Sequence, residues 1–281
     1  MSLSLRDELR VVLAPDRVSL VRIGRGFTRR GLTRRVLQKK VIACADAPDG
    51  TDSWGIAVNA LAAELPALDE DTAFATVILS NHFVQYAIVP WSGALRDEAE
   101  EAAYARHFFS QLYGSAAGSW ELRLSMDRAG VPQLASAVDL GLTGALRGLF
   151  DGAGMKLRSI QPGLMAAFNS CRGSLQRRSA WFVLFEAGNL CLCLLQQGRL
   201  ASVRTLRPGA DWCETLPHLL EREQYLIDEV AHTDEVLVWA PELEPSVLPA
   251  GSGWKMHALQ PAIRADLMAD YDIRFAVALG G

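Results

Sequence analysis

Apolar residues in the first third of the chain alternate with polar ones or form short runs that glycine and proline interrupt. This pattern is typical of strands, which are predicted at residues 11–14, 18–23 and 36–44. Residues 53–65 show helical spacing instead, and Pro66 ends that segment. The opening part of the chain is therefore predicted to be three strands followed by a helix.

The next segment combines strands with one helix of clear amphipathic character. Strands are predicted at residues 75–79, 84–89, 120–125 and 133–138, and a helix at 96–113. Glutamates in the first turns of this helix favour the positive end of its dipole, and Gly114 ends it. Residues 82–138 are therefore predicted to form a small β-α-β-β unit.

The opening pattern returns in the second half of the chain. A helix at 140–150, a strand at 156–160 and a helix at 164–171 lead to a predicted linker at 173–178. Beyond it the pattern predicts strands at 181–185, 190–195 and 200–206, a helix at 211–230, and strands at 236–239 and 255–259. Three strands and a helix thus occur twice, which indicates an α/β fold with an internal structural repeat.

This duplicated arrangement, with a β-α-β-β unit inserted in its first half, resembles the actin-like (ASKHA) superfamily of ribonuclease H-like lobes. Within it, the chain is similar to the PilM/GspL/MshI group of platform proteins of type IV pilus and type II secretion assemblies. The resemblance rests on PQLASAVDLGLTGALRGLFDGAGMKLRSIQPGLMAAFN, VILSNHFVQYAIVPW and LFEAGNLCLCLLQQGRLASVRTLRPG, in that order. It implies lobe I at residues 1–81 and 139–172, an inserted subdomain at 82–138, and a shortened lobe II at 178–281.

Composition narrows the function classes. The chain has 28 basic and 32 acidic residues and a net charge of −4, which argues against a general nucleic-acid binder. Its five cysteines, an odd number, fit a reducing compartment better than a disulfide framework. The N-terminus is expected not to be a targeting segment, and no apolar run reaches the roughly 20 residues of a membrane helix.

Positive charge is concentrated near the N-terminus. Residues 1–40 contain 11 lysines and arginines but only 3 acidic residues. The excess peaks between two predicted strands, at Arg25, Arg29, Arg30, Arg34 and Arg35. This pattern allows two interpretations: a solvated hairpin tip, or a basic patch for anionic lipid headgroups or an acidic partner segment.

The resemblance allows the nucleotide site to be compared residue by residue. In actin-like folds two glycine-bearing hairpin turns approach the phosphates, and an acidic residue in each holds Mg²⁺ or its water. In the first hairpin here, Val12 stands at the acidic position and Ala14 at the glycine. Pro15 has no N–H to offer, and Asp16 is displaced along the turn.

The second hairpin keeps a form of the motif. It contains Glu186, Gly188 and Asn189, and Gly209 follows the next strand, whereas the Gly-Gly pair expected after the late strand is replaced by VLVWAPELEP. The resemblance therefore implies a degenerate, non-hydrolysing member with no catalytic residue and no cofactor. The alternative is a switch that binds ATP with Mg²⁺.

Other chemistry is sparse in the sequence. Gly24 and Gly26 lack the spacing of a dinucleotide loop and precede a strand rather than a helix. Cys191 and Cys193 lie two residues apart on a predicted strand, and no second pair with metal-ligand spacing accompanies them. They are therefore expected to be buried packing residues, and no metal site is predicted.

The resemblance also implies partners and a location. In the group, a groove between the first lobe and the inserted subdomain receives the N-terminal peptide of a PilN-like single-span inner-membrane protein. Plausible contacts here are Arg22, Arg25, Phe83, Tyr86 and Trp91, although Tyr86 and Trp91 fit a subdomain core equally well. An assembly ATPase is a further expected partner, and the expected location is the cytoplasm, peripheral at the inner membrane.

Overall fold

The computed structural model describes residues 7–28, 31–45, 53–68, 72–125, 128–227, 232–241, 243, 248–249 and 253–280. The chain divides into two compact units. The first contains residues 1–84, 138–170 and 261–281, and the second contains 85–137 and 171–260. This division differs from the predicted bounds: residues 261–281, predicted within lobe II, group with the first unit, and most of the inserted segment groups with the second.

Thirteen strands and seven helices are present in the described part of the chain. The strands are β1 (Asp7–Leu13), β2 (Arg17–Thr28), β3 (Gly31–Ala43), β4 (Thr72–Leu79), β5 (Val84–Val89), β6 (Trp120–Leu124), β7 (Gln133–Asp139), β8 (Lys156–Pro162), β9 (Ala180–Glu186), β10 (Asn189–Gln196), β11 (Arg199–Leu206), β12 (Glu235–Trp239) and β13 (Lys255–Ala258). The helices are α1 (Ser53–Glu64), α2 (Glu98–Tyr113), α3 (Leu140–Gly152), α4 (Gly163–Ser170), α5 (Arg172–Leu175), α6 (Trp212–Tyr225) and α7 (Ala276–Leu279).

The same sheet topology occurs once in each unit. In the first unit the strand order is β3-β2-β1-β4-β8, and in the second it is β11-β10-β9-β12-β13. In both sheets the first three strands pair antiparallel, and the two later strands run parallel to the first. The match in order and direction confirms the duplicated lobes that the sequence pattern predicted.

The inserted segment forms a separate three-stranded sheet in the order β5-β7-β6. Its core against α2 is built from small residues together with Phe109, which is fully buried. The side-chain carboxylate of Asp97 caps α2 by accepting the backbone N–H of Glu100 at 2.9 Å. The predicted β-α-β-β unit is therefore present, and its helix begins at Glu98 rather than at residue 96.

Most predicted elements lie where the pattern placed them, with differences at their ends. Asp139 caps α3 by accepting the N–H groups of Gly141 and Leu142. The predicted third strand is longer than expected, because β3 begins at Gly31. The predicted linker at 173–178 overlaps the short helix α5, and α6 ends at Tyr225 rather than at residue 230, which lies outside the described residues.

The first sheet buries apolar side chains on both faces. On β1, Leu9, Val11 and Leu13 are fully buried on the face that carries α1 and α3. On the opposite face, Val21 and Ile23 of β2 pack with residues from the C-terminal part of the chain, among them Leu267 and Leu279. The C-terminal segment, residues 261–280, is therefore the second cover of this sheet.

Polar contacts fasten the C-terminal segment to the first unit. The Arg10 guanidinium donates to the carbonyl oxygens of Ala278 (2.9 Å) and Gly280 (3.3 Å). The Lys39 ammonium donates to the carbonyl oxygen of Asp270 at 2.8 Å. A Cβ added at Gly280 would overlap the Oγ of the buried Ser170. Glycine at position 280 thus allows the chain to lie directly against the end of α4.

Glu8 has a buried carboxylate on the same face of β1 as Arg10. Glu8 is 5% exposed, and its two oxygens accept from Arg10 at 3.3 Å and from Arg25 at 2.9 Å. Burial alone would raise the pKa of Glu8, but the positive charges and hydrogen bonds of Arg10 and Arg25 outweigh it and lower that pKa. The carboxylate is therefore ionised in the folded protein at neutral pH.

Replacing Glu8 tests this charge cluster. Because the pKa of Glu8 is lowered by folding, its stabilisation is complete above the unfolded pKa of about 4.3 and is lost as pH falls through the folded value. We expect Glu8→Gln to lower the free energy of unfolding at pH 7 by about 2–3 kcal/mol, since it leaves two arginines uncompensated. The loss should shrink in acid, as measured by urea denaturation at neutral pH and at pH 3.

Glu64→Gln is the matched control, because Glu64 pairs with the half-exposed Lys40. Its effect at neutral pH should stay below about 1 kcal/mol. Parallel stability curves for Glu8→Gln and the unchanged protein across this pH range would contradict the assignment.

Candidate functional site

The carboxyl ends of three parallel strands meet at one edge of the first sheet. Leu13 of β1, Leu79 of β4 and Pro162 of β8 are in register across the three strands. Ligands of open α/β sheets bind outside the carboxyl ends of the strands. The turns that follow these three residues are therefore the candidate nucleotide side of the first unit.

The turn after β1 offers little to a phosphate. The N–H of Ala14 is donated to the carbonyl oxygen of Arg17 at 3.0 Å, and Pro15 has no N–H. The Asp16 side chain is 57% exposed and lies 3.9 Å from the Arg17 guanidinium. The Asp16 carboxylate therefore lies at the turn and does not reach position 12, where the resemblance places the acidic residue.

Val12 is partly buried and lies beside an apolar cluster. It packs against the group formed by Val21, Ile23 and the C-terminal segment. A carboxylate in that place would be partly dehydrated among apolar side chains. The C-terminal segment therefore makes the apolar side chain at position 12 a structural requirement of this chain.

The turn after β4 is hydrogen-bonded to the first turn of α4. The backbone N–H of Leu164, in the first turn of α4, is donated to Oδ1 of the buried Asn81 at 2.9 Å. The Ser80 hydroxyl accepts the N–H of His82 and hydrogen-bonds its Nδ1 at 2.9 Å. Since Asn81 occupies an amide at the helix start, that amide is not available to an anion. No local sequence pattern indicates this contact, because Asn81 and Leu164 are 83 residues apart.

The second hairpin is a tight two-residue turn between β9 and β10. Glu186 and Asn189 pair across it, and Gly188 adopts a φ of +75°, which glycine accommodates without strain. Glu186 is half-buried, whereas Asn189 is buried and its Oδ1 accepts the Cys191 thiol at 3.7 Å. Gly209 lies in the loop between β11 and α6. The four predicted residues of this half thus belong to one turn and one loop of the second unit.

The structure places the predicted partner contacts in different settings. Arg22 forms an ion pair with Asp7 at 3.1 Å on one face of β2, and Arg25 pairs with Glu8 on the opposite face. Both arginines are therefore engaged with acidic residues of their own sheet, and one ligand on one face of β2 cannot contact both.

The three aromatic candidates differ in burial. Phe83 is half-buried, Tyr86 is 5% exposed, and Trp91 is 45% exposed after the end of β5. The backbone carbonyl of Tyr86 accepts the hydroxyl of Tyr113 at 3.0 Å. Trp91 is thus the aromatic candidate that a partner reaches most directly.

The basic patch is not confined to a solvated hairpin tip. Arg25 and Arg34 lie opposite each other in the paired strands β2 and β3, and Arg35 lies opposite Gly24. Arg29 and Arg30 lie outside the described residues. The interpretation as a purely solvated tip is wrong for Arg25 and Arg34, because both contribute side-chain atoms that are buried.

The cysteines are packing residues, as predicted for Cys191 and Cys193. Both are fully buried, and burial raises the pKa of Cys171 and Cys191 to about 12 and that of Cys193 well above its usual value. Within the described residues, the five thiols form no disulfide and no cluster of metal-ligating side chains is present. Reactive thiol chemistry has no support in these surroundings.

None of the helices in the described part of the chain combines the length and the apolar character that a bilayer span requires.

Comparisons with known proteins agree on the fold. No family model and no curated protein matches the sequence. Among solved structures, the chain is similar to the PilM–PilN type IV pilus biogenesis complex, with a TM-score of 0.65, 17% identity, and coverage of 97% of this chain and 96% of the other.

Two further structures resemble the chain at lower identity. The cytoplasmic domain of EpsL, an inner-membrane component of the type II secretion system of Vibrio cholerae, gives a TM-score of 0.55 at 11% identity over 90% of each chain. A Bacteroides thetaiotaomicron protein of unknown function with an actin-like ATPase fold gives 0.53 at 9% identity, over 84% of this chain and 82% of the other. The chain therefore has the actin-like fold, as the sequence predicted.

Substitution at position 12 tests the apolar wall of the first turn. We expect Val12→Asp to lower the free energy of unfolding by about 2–4 kcal/mol, because the carboxylate would be partly dehydrated among apolar side chains. The nearly isosteric Val12→Thr is the control, and its loss should be about half as large. Chemical denaturation measures both. An unchanged stability for Val12→Asp would mean that position 12 opens to solvent.

Proposed function

We propose that the chain is a non-catalytic actin-like scaffold of an inner-membrane assembly platform, of the type IV pilus, MSHA-like or type II secretion kind. Its molecular act is to bind the N-terminal peptide of a PilN-like single-span membrane protein. The observation that carries the proposal is the combination of two actin-like lobes with a first hairpin whose metal-organising position is an apolar, packed Val12.

The full-length likeness to known platform components supports the scaffold role. The similarity to the PilM–PilN complex extends over 97% of this chain, so the whole chain and not one lobe has a counterpart there. The chain is also similar in fold to the cytoplasmic domain of EpsL, a component of a type II secretion system, so components of two kinds of machinery resemble it. We place the chain in the cytoplasm, peripheral at the inner membrane, with an assembly ATPase as a further partner and a direct contact with anionic lipid.

The chemistry of the first turn supports the absence of turnover. Phosphoryl transfer depends mainly on charge stabilisation of the transferred group, which metal ions and their carboxylates supply. Here the N–H of Ala14 is already used, Pro15 has none, and Asp16 is exposed beside Arg17. The amides at positions 14 and 15 of this turn are therefore not available to a phosphate, the Asp16 carboxylate is exposed, and we propose that no cofactor is required.

An ATP-binding switch of the same machinery is the second candidate. It is favoured by the second hairpin, where Glu186 and the positive-φ Gly188 keep a form of the phosphate turn. Such a switch would bind ATP with Mg²⁺ and respond by a change of conformation without hydrolysis.

Peptide binding is the direct test of the scaffold role. The full chain, titrated with the cytoplasmic N-terminal peptide of a PilN-like protein, should bind with a dissociation constant in the micromolar range. We expect Trp91→Ala to weaken binding about tenfold, since exposed aromatic anchors dominate interfaces. Isothermal titration calorimetry measures both constants.

Tyr225→Ala is the matched control for the loss of an exposed aromatic side chain, because Tyr225 is 85% exposed on α6. Tyr225→Ala should leave the affinity for the peptide unchanged. A scrambled peptide should give no heat of binding. Absence of binding at high peptide concentration would remove the scaffold proposal.

A thermal-shift measurement separates the two candidates. A ligand at about 100 times its dissociation constant stabilises a protein by about 2.7 kcal/mol. For the non-catalytic scaffold we expect no change in Tm with saturating Mg-ATP beyond that with MgCl₂ alone. A rise in Tm that Glu186→Ala abolishes would instead establish the nucleotide switch.

A further inference from the structure

Strands β2 and β3 extend beyond the sheet as a two-stranded arm. The pairing of β1 with β2 ends at Glu8 and Ile23, whereas β2 and β3 continue to pair as far as Thr28 and Gly31. We define the arm as residues 24–28 and 31–35. Among the described residues no third strand pairs with the arm beyond Ile23, so the end of the arm extends past the five-stranded sheet.

One face of the arm combines arginine with exposed apolar side chains. Arg25 lies opposite Arg34, and Phe27 lies opposite Leu32, so all four side chains share this face. Phe27 is 65% exposed and Leu32 is 47% exposed. Two exposed apolar side chains, Phe27 and Leu32, beside two arginines are unusual for a hairpin that contacts only solvent.

Positive charge on this face is only partly compensated. Glu8 neutralises Arg25 at 2.9 Å, but it is shared with Arg10. Among the described residues the Arg34 guanidinium has no acceptor, and the Nε atoms of Arg25 and Arg34 are both buried without one. Like charges directly opposite on neighbouring strands destabilise a sheet, so this arrangement favours a further anion in addition to Glu8.

The neighbours of Arg34 do not supply that anion. Asp266 accepts the backbone N–H of Arg34 at 2.9 Å, but its two oxygens are held by Arg264 at 3.1 Å each. Burial, followed by the charge of Arg264, lowers the pKa of Arg34. The face therefore holds more positive than negative charge where its side chains converge.

We propose that this face of the arm docks on the surface of an anionic lipid bilayer. A lipid phosphate accepts hydrogen bonds from Arg34 and Arg25, while Phe27 and Leu32 enter the boundary between headgroups and acyl chains. Arginine pairs with phosphate in a bidentate manner, and apolar side chains beside it add the burial that interfacial binding requires. A soluble phosphate or an acidic peptide would use the arginines but leave the apolar pair exposed. This inference rests on the proposed location at the membrane, and it names the residues that contact the bilayer.

Vesicle flotation of the full chain tests the arginine contact. The protein should float with vesicles of phosphatidylcholine and phosphatidylglycerol and not with phosphatidylcholine alone. Loss of one diffuse positive charge weakens such binding about fivefold. We expect Arg34→Gln to weaken it at least tenfold further than Arg35→Gln, because Arg35 is exposed on the opposite face of the same strand. Equal losses would overturn the site and leave only diffuse attraction.

A second pair of variants tests the apolar contact. Phe27→Ser combined with Leu32→Ser should reduce flotation with anionic vesicles at least tenfold, without any change in net charge. Leu112→Ser, at an exposed position of α2 in the other unit, is the control and should float normally. Flotation of the double variant at the level of the unchanged protein would overturn the docking mode.

The variants separate this inference from the scaffold proposal. No described residue accepts a hydrogen bond from the Arg34 guanidinium, so Arg34→Gln should keep the Tm of the unchanged protein and its affinity for the PilN-like peptide. Peptide binding without vesicle flotation would overturn the lipid contact and leave the scaffold role in place. Flotation that depends on Arg34, in a protein that binds no peptide, would support the lipid contact and refute the scaffold role.

Discussion

The first sheet can exist only when both of its faces are covered, because β1 and β2 carry apolar side chains on each side. Helices α1 and α3 cover one face, and the C-terminal segment covers the other, more than 200 residues away in sequence. Exposure of either face would cost roughly 1.5–3 kcal/mol for each large side chain returned to water. The integrity of the first unit therefore depends on a contact between the two ends of the chain.

This cover also explains the chemistry of the first turn. In an actin-like protein that organises a metal, the residue corresponding to Val12 is acidic and needs water or a cation beside it. Here the same position packs beneath the C-terminal segment, and Glu8 is the carboxylate that the sheet face tolerates, because Arg10 and Arg25 surround it. The buried carboxylate of this face therefore lies at the end of β1 next to the β2–β3 arm and not at the nucleotide edge.

Particular residues show where inference from sequence succeeded and where it stopped. The end of α2 at Gly114, the burial of Cys191 and the two sets of three strands followed from local pattern, since period and turn chemistry act over a few residues. Arg25 was interpreted as a contact for a partner, yet Glu8 neutralises it across a strand pair whose register no local pattern reveals. The sequence did not reveal the role of Asn81, because its acceptor role toward Leu164 joins segments 83 residues apart.

The sequence by itself determined the element order, the repeat and the apolar character of position 12, because each follows from residue type and short-range spacing. Only the tertiary structure decided that residues 261–280 belong to the first unit, that Glu8 sits between two arginines, and that Arg34 and Phe27 share one face of a projecting arm. These features depend on strand register and on long-range burial, which place side chains together regardless of their separation along the chain.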